Sequence, residues 1–261
     1  MHKVAIALLL LSAPAVQAQN VNAYSDVTIL PGHMTASGQY LAGVQITMAQ
    51  GWKTYWRQPG EGGLPPVFDW SGSSNVTSAT VEWPVPEVFD TYGLRSLGYH
   101  DSVVFPILFD MSDPQADARL RLSLDYGLCS DICIPAHAEA SALLPAGQVH
   151  NAEELARARR DTTRQASGLV ADCAVVPAAD AWRLDATIRA DHPLERDLVA
   201  VFETADPNLW IGTPDAVEQG DGLLFSAPME WFGDGAFAMS REDMRITLVS
   251  SGRSAVELTG C

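Results

Sequence analysis

Positive charge is scarce in this chain: 16 lysines and arginines stand against 32 aspartates and glutamates, a formal charge of −16 at pH 7. The bias is shared along the length, with 5 basic and 13 acidic residues over 19–149, and 6 and 16 over 170–261. Nucleic acid is therefore a poor partner class, because phosphate binding needs basic stripes. No apolar run approaches the roughly 20 residues that span a bilayer, so the mature chain is expected not to be membrane-embedded. Ser/His/Asp groupings, phosphate loops and H-x-x-x-H patterns are missing, as is any repeat of fixed period. Cysteine is sparse too: four in 261 residues, enough for two pairs.

The first 18 residues have the layout of a secretory signal peptide: a basic Lys3, an apolar run over 4–11, then Val16, Gln17 and Ala18 before the expected cut. Its removal takes away Lys3 and no acid, moving the formal charge from −16 to −17. No cysteine follows directly, so a lipid anchor at the new N-terminus is not expected. Export into an oxidising space permits disulfides.

The rest divides at a visible seam. Short stretches at 40–48, 76–83, 103–109, 120–124 and 138–144 alternate apolar and polar residues, separated by turn clusters such as Gln58-Pro59-Gly60-Glu61-Gly62-Gly63. That spacing argues for an antiparallel sandwich. The same grammar returns at 182–188, 198–203, 222–225 and 244–249. Between them, 151–166 reads as one polar helix with Leu155 and a few alanines on its apolar side. Asn151 and Glu154 suggest a capping-box start and Gly168 a stop. Such a helix is expected to be a solvated connector. The divisions are a signal peptide at 1–18, a sandwich at 19–149, a helical linker at 150–169 and a second sandwich at 170–261.

Cys129 and Cys133, with three residues between them, lie on the connection between two of these strands. A disulfide closing so short a loop adds little stability on the chain-entropy argument, which invites a reading as reactive chemistry. No helix begins at the pair, unlike the thioredoxin arrangement in which a helix N-terminus lowers a thiol pKa. Asp125, Asp131 and Glu139 are near in sequence and would oppose thiolate formation if near in space. The alternative is a hairpin staple. Cys173 and Cys261 would close about 90 residues, a loop worth roughly 4–5 kcal/mol, and are expected to form a structural disulfide.

Two segments point to a family. One is Gly51-Trp52-Lys53-Thr54-Tyr55-Trp56-Arg57-Gln58-Pro59-Gly60, with Gly63-Leu64-Pro65 and Trp83-Pro84-Val85-Pro86 after it; the other runs from Tyr126-Gly127-Leu128-Cys129 to Cys133-Ile134-Pro135. Together they resemble the N-terminal periplasmic domain of DsbD-type thiol:disulfide interchange proteins, especially the copper-tolerance, ScsB-like branch. The resemblance covers roughly 36–144 and implies an immunoglobulin-like sandwich there; with the alternation after the seam, the expected fold is all-β, two immunoglobulin-like β-sandwich domains joined by a short helical linker. The resemblance also implies a periplasmic thiol:disulfide interchange (protein-disulfide reductase) component, without a cofactor, that relays electrons through a reversible Cys129–Cys133 disulfide. The family's best-known members continue into a membrane conduit and a thioredoxin-like domain that this sequence does not carry. The implied partners are therefore a separate membrane thiol reductase of DsbD/CcdA type and periplasmic thioredoxin-fold proteins. Cys133 is the sulfur expected to form mixed disulfides.

Most of Trp52, Tyr55, Trp56, Trp70, Trp83, Tyr92 and Tyr99 are expected in the core, with one or two shielding the disulfide or docking a partner. The glycine-flanked segment from Tyr92 to Tyr99 is the candidate cap. The rival reading is copper. Cys129-x3-Cys133-x3-His137 has the ligand spacing of the dinuclear copper loop of cytochrome oxidase subunit II, and His100 offers a second imidazole. Against it, Ala140 stands where that loop has methionine. A non-redox binding module is the third class.

Overall fold

The computed structural model describes residues 23–91, 93–178, 182–234, 239–250 and 254–261; the expected signal peptide at 1–18 and Tyr92 lie outside the described residues. The first half contains β1 (Ser25–Met34), β2 (Tyr40–Met48), β3 (Lys53–Gly60), β4 (Val67–Asp69), β5 (Val76–Val81), β6 (Glu87–Thr91), β7 (Leu94–His100), β8 (Ser102–Met111), β9 (Ala118–Cys129) and β10 (Cys133–Leu144). After α1 (Ala152–Arg160) come β11 (Arg164–Gln165), β12 (Leu169–Pro177), β13 (Trp182–Ala190), β14 (Val199–Glu203), β15 (Leu209–Ile211), β16 (Val217–Gln219), β17 (Gly222–Trp231), β18 (Arg245–Val249) and β19 (Ala255–Thr259).

Two sandwiches result, as the alternation predicts. In the first, a β1-β2-β8-β5 sheet packs on a β10-β9-β3-β7-β6 sheet with β4 beside β9. In the second, β11-β19-β18-β14 packs on β12-β13-β17-β15, with β16 beside β17. Strand β9 shows why the pattern folds this way. Ala118, Leu120, Leu122 and Leu124 point into the core while Arg119 and Arg121 between them face water. From Tyr126 to Cys129 every residue is buried, because the chain around Leu64 crosses the outer face there and accepts the Gly127 N–H on its carbonyl at 3.2 Å.

The sandwiches are not loosely strung. Val201, Val249 and Ala255 of the second half join the apolar core of the first. At that junction Arg57 of β3 is clamped by the carboxylates of Glu203 and Glu257 at 2.8 and 2.6 Å.

The linker differs from its expected form. The helix is shorter than 151–166, and it is anchored where a solvated connector was expected. Leu155 is fully buried, and its two methyl groups fill sockets made by glycines: a Cβ on Gly32 would lie 2.6 Å from one, and a Cβ on Gly43 2.8 Å from the other. Asn151 has a left-handed backbone (φ 44°) and makes no capping bond; its amide donates instead to the Pro31 carbonyl at 2.8 Å. Gly168, at φ 71°, turns the chain into β12 and does not end the helix, which stops at Arg160.

One apolar side chain in a glycine socket therefore fixes the helix. Leu155→Ala is expected to cost about 2–5 kcal/mol, read as a lowered urea midpoint. Glu153→Ala, on the exposed side of the same turn, should stay within about 0.5 kcal/mol. Equal effects would contradict the socket.

Candidate functional site

Strands β9 and β10 form a hairpin whose last rung is Cys129 opposite Cys133, and the two are joined by a disulfide with Cα atoms 4.1 Å apart. Residues 130–132 make the turn, and no helix starts there. The sulfurs are unequally accessible: Cys129 is 5% exposed, whereas Cys133 is open to solvent. A cleft of about 150 Å³ lies against the pair, walled by Lys53, Tyr55, Gly62, Leu94, Ser96 and Asp131.

Strand β3 supplies the chemistry of that wall. Tyr55 is 2% exposed, and its ring is held edge-on between two glycines: a Cβ on Gly63 would lie 2.5 Å from one ring edge, and a Cβ on Gly127 2.7 Å from the other. Any larger residue at either place would push the ring aside. So held, the phenol oxygen is 3.1 Å from the Cys133 sulfur and 3.5 Å from the Gly62 carbonyl. A disulfide sulfur has no proton, so the tyrosine donates. Burial raises the Tyr55 pKa above its ordinary value, which keeps the O–H in place through neutral pH.

Lys53 stands opposite Cys129 in the β3–β9 register, so the two side chains share a face. Burial lowers its pKa, and its ammonium lies 4.6 Å from the centroid of the Phe89 ring. Below the cleft, the Thr54 hydroxyl donates to the Gly127 carbonyl at 2.8 Å and fixes β3 against β9. When the disulfide opens, the wall offers a hydrogen-bond donor to the Cys133 sulfur, while the Lys53 ammonium lies toward Phe89, on the side of β3 away from β9.

The remaining sites expected from the sequence fall as follows. Cys173 and Cys261 are joined, 88 residues apart, and link β12 to the segment after β19 across the second sandwich. Tyr99 does not cap the pair: it is 5% exposed, its ring packs edge-on to Phe105, and its hydroxyl donates to the Pro84 carbonyl at 2.9 Å. Strand alternation sends Tyr99 inward, and Leu94 covers the cleft from the same hairpin. His137 is not brought to the cysteines. It lies four rungs along β10 from Cys133, about 13 Å by strand rise, paired with Asp125 at 2.8 Å. His100 is engaged by Glu87 at 3.0 Å. Glu139 is six rungs away, about 20 Å, so of the three nearby acids Asp131 alone lines the cleft. Reading the sequence placed Tyr55 in the core and gave Lys53 no role. One signal was available: Lys3 and Lys53 are the only lysines in the chain.

Residues 24–145, the first sandwich, match the family described as thiol:disulfide interchange protein DsbD, N-terminal. The resemblance read from the two sequence segments is thereby shown for that part of the chain. No curated protein matches the chain. Among solved structures, the N-terminal periplasmic domain of ScsB from Proteus mirabilis is similar in fold, with a TM-score of 0.67 at 21% identity, covering 93% of this chain and 96% of that one. Both sandwiches are therefore part of the shared immunoglobulin-like architecture.

Burial raises the pKa of Tyr55, Tyr99 and Tyr126 alike. A folded pKa above the unfolded value of about 10 contributes stability that is full below that pH and lost as pH rises through the folded values. Tyrosinate absorbance from these residues is expected only above pH ~10, together with loss of near-ultraviolet circular dichroism. Complete ionisation at that pH with the dichroism intact would contradict their burial.

Proposed function

We propose, for a chain whose residues 24–145 match the DsbD N-terminal family, that it is a periplasmic thiol:disulfide exchange protein working through Cys129 and Cys133. The observation that supports this most is the disulfide's setting: one open sulfur, one covered sulfur, and a clamped Tyr55 hydroxyl 3.1 Å from the open one. In this reading the signal peptide at 1–18 directs export, and electrons come from a separate membrane thiol reductase and go to thioredoxin-fold proteins. The exchange needs no cofactor.

The steps balance as follows. A reduced partner's thiolate attacks the open Cys133 sulfur in line with the S–S bond. A mixed disulfide forms to Cys133 and the bond to Cys129 breaks, so Cys129 leaves as a thiolate and then takes up a proton. The partner's second thiol loses its proton, attacks the partner sulfur of the mixed disulfide and releases Cys133 as a thiolate, which Tyr55 stabilises by a charge-assisted hydrogen bond until it takes up a proton in turn. The pair has gained two electrons and two protons, and the partner has become a disulfide. Delivery to an oxidised acceptor reverses these steps, with Cys133 as attacker and Cys129 as resolver.

Docking has a physical basis in the surroundings. Leu64, Leu94 and Ile132 are about half exposed or more, at 48%, 53% and 58%, and the last sits between the two cysteines. Contact with such apolar side chains would bring a partner's sulfur to Cys133 without any change in the pair's own reactivity.

A redox titration of the full chain in glutathione buffers, with alkylation and mass spectrometry separating the two disulfides, tests the reading. The Cys129–Cys133 pair is expected between roughly −180 and −270 mV; a value below about −300 mV would mark a staple and end the proposal. Tyr55→Phe should slow attack by Cys133 on an oxidised acceptor on the order of tenfold, the equivalent of one hydrogen bond to a charged sulfur. Cys129→Ser should trap mixed disulfides that Cys133→Ser does not.

A further inference from the structure

The upper wall of the cleft is tied to the second sandwich through Arg95. Leu94 and Arg95 begin β7, and Leu94 lines the cleft. The Arg95 backbone holds the segment that crosses Tyr55: Glu61 N–H donates to the Arg95 carbonyl at 2.9 Å, and Arg95 N–H donates to the Glu61 carboxylate at 3.1 Å. Gly60 enters this segment at φ 82°, so close that a Cβ there would lie 2.5 Å from the Arg95 carbonyl oxygen. Gly62, two residues on, lines the cleft beside Tyr55. The backbone of one arginine thus fixes both sides of the upper wall.

Its side chain runs the other way. The guanidinium donates to the Thr213 carbonyl at 3.0 Å and meets both oxygens of Asp215, at 3.0 and 3.1 Å. Asp90 stands 3.7 Å from the same group. Residues 213–216 are themselves fixed: Ala200 N–H donates to the Pro214 carbonyl, and Ala216 N–H to the Leu198 carbonyl, which lays the segment against β14. Strand β14 also carries Glu203, one of the two acids that clamp Arg57. The second sandwich is thus locked to β3 by Arg57, and its edge then holds Arg95.

We propose that Arg95 is a positioning residue that uses the second sandwich as the anchor for the upper wall of the disulfide cleft, and that its grip on Thr213 and Asp215 limits how readily thiols reach Cys133. This rests on the exchange reading of the pair and assigns the second sandwich a role in it. With the grip intact, Leu94 and the 60–63 segment stay over Tyr55, and a thiol reaches Cys133 by the open side. With the grip lost, the wall moves more freely and access widens. A change in access alters forward and reverse rates together and leaves the pair's potential where it was.

The test is made on the full chain with Arg95→Ala, Arg95→Lys, Asp215→Ala and the Arg95→Ala/Asp215→Ala double variant. Asp215 is largely exposed, so its truncation leaves the fold intact even where Arg95→Ala does not. The rates of opening by dithiothreitol and of reclosing by oxidised dithiothreitol are measured beside the potential. Arg95→Ala and Asp215→Ala are each expected to speed both rates about fivefold, about 1 kcal/mol, the upper range for an exposed ion pair. The double variant should be no faster than Arg95→Ala, Arg95→Lys should fall between it and the parent, and no potential should move. Unchanged rates in Asp215→Ala, or a shifted potential, would overturn the proposal. A parent potential below about −300 mV would end the exchange reading alone, since the dithiothreitol rates still report on the wall.

Discussion

The arrangement depends on a single guanidinium. Arg57 lies over the Trp56 ring at 4.3 Å and is 12% exposed, with Glu203 and Glu257 from the other sandwich against it. Burial disfavours its charge, and the hydrogen bonds and fields of the two acids more than offset this, so its pKa stands above the ordinary arginine value. Two buried carboxylates facing one cation leave an excess negative charge. Glu257 passes part of it on, accepting from Gln165 at 3.0 Å and lying 3.5 Å from Arg245. Such a cluster adds little net stability compared with apolar packing, yet removing one member costs about 3–5 kcal/mol because it strands the others. Its consequence here is registration: it fixes which face of the second sandwich meets β3.

Strand β3 turns that registration into chemistry. Lys53 and Tyr55 wall the disulfide at one end of the strand, and Arg57 and Gln58 reach the second sandwich from the middle, Gln58 donating to the Phe202 carbonyl at 3.4 Å. One residue, Trp56, separates the phenol that touches Cys133 from the guanidinium that locks the halves. The strand bonds at both ends to firm neighbours, β9 beneath the cysteines and β7 beneath the wall. Interiors transmit strain because they are close-packed, so a shift of the second sandwich is felt at the tyrosine.

Local features were legible in the sequence, and long-range ones were not. The period-2 stretches at 40–48, 138–144 and 198–203 fall on β2, β10 and β14, because burial on one face writes itself into alternation. The close spacing of Cys129 and Cys133 pointed to their pairing, which left Cys173 and Cys261 to each other. The helix was misjudged because Leu155 is one apolar residue among charges, and its partners are glycines at 32 and 43, which carry no apolar signal. Gly63 read as a turn residue and Gly127 as part of a family motif, whereas both leave room for the Tyr55 ring. Arg57 could not be assigned from its neighbours: its acids lie 146 and 200 residues downstream. His137 failed in the opposite way, since three-residue spacings suit a compact loop, but an extended strand carries each third or fourth residue farther off.

The two disulfides divide the work in a way that loop length explains. Cys129 and Cys133 are separated by 4 positions, so closing them removes little freedom from the unfolded chain, and opening them leaves the hairpin held by its ladder of strand bonds. In the exchange we propose, such a pair can open and close repeatedly without loosening the fold. Cys173 and Cys261 are 88 positions apart, and closing that loop is worth about 4–5 kcal/mol, which secures the second sandwich against local opening. Cys173 is buried within that sandwich's own core, away from the cleft where a partner's sulfur would arrive. The long-loop disulfide therefore sits in the second sandwich, and the short-loop one in the sandwich to which the proposed exchange belongs. Arg57 joins the two sandwiches two positions from Tyr55, and in the proposed exchange the Cys173–Cys261 disulfide takes no part.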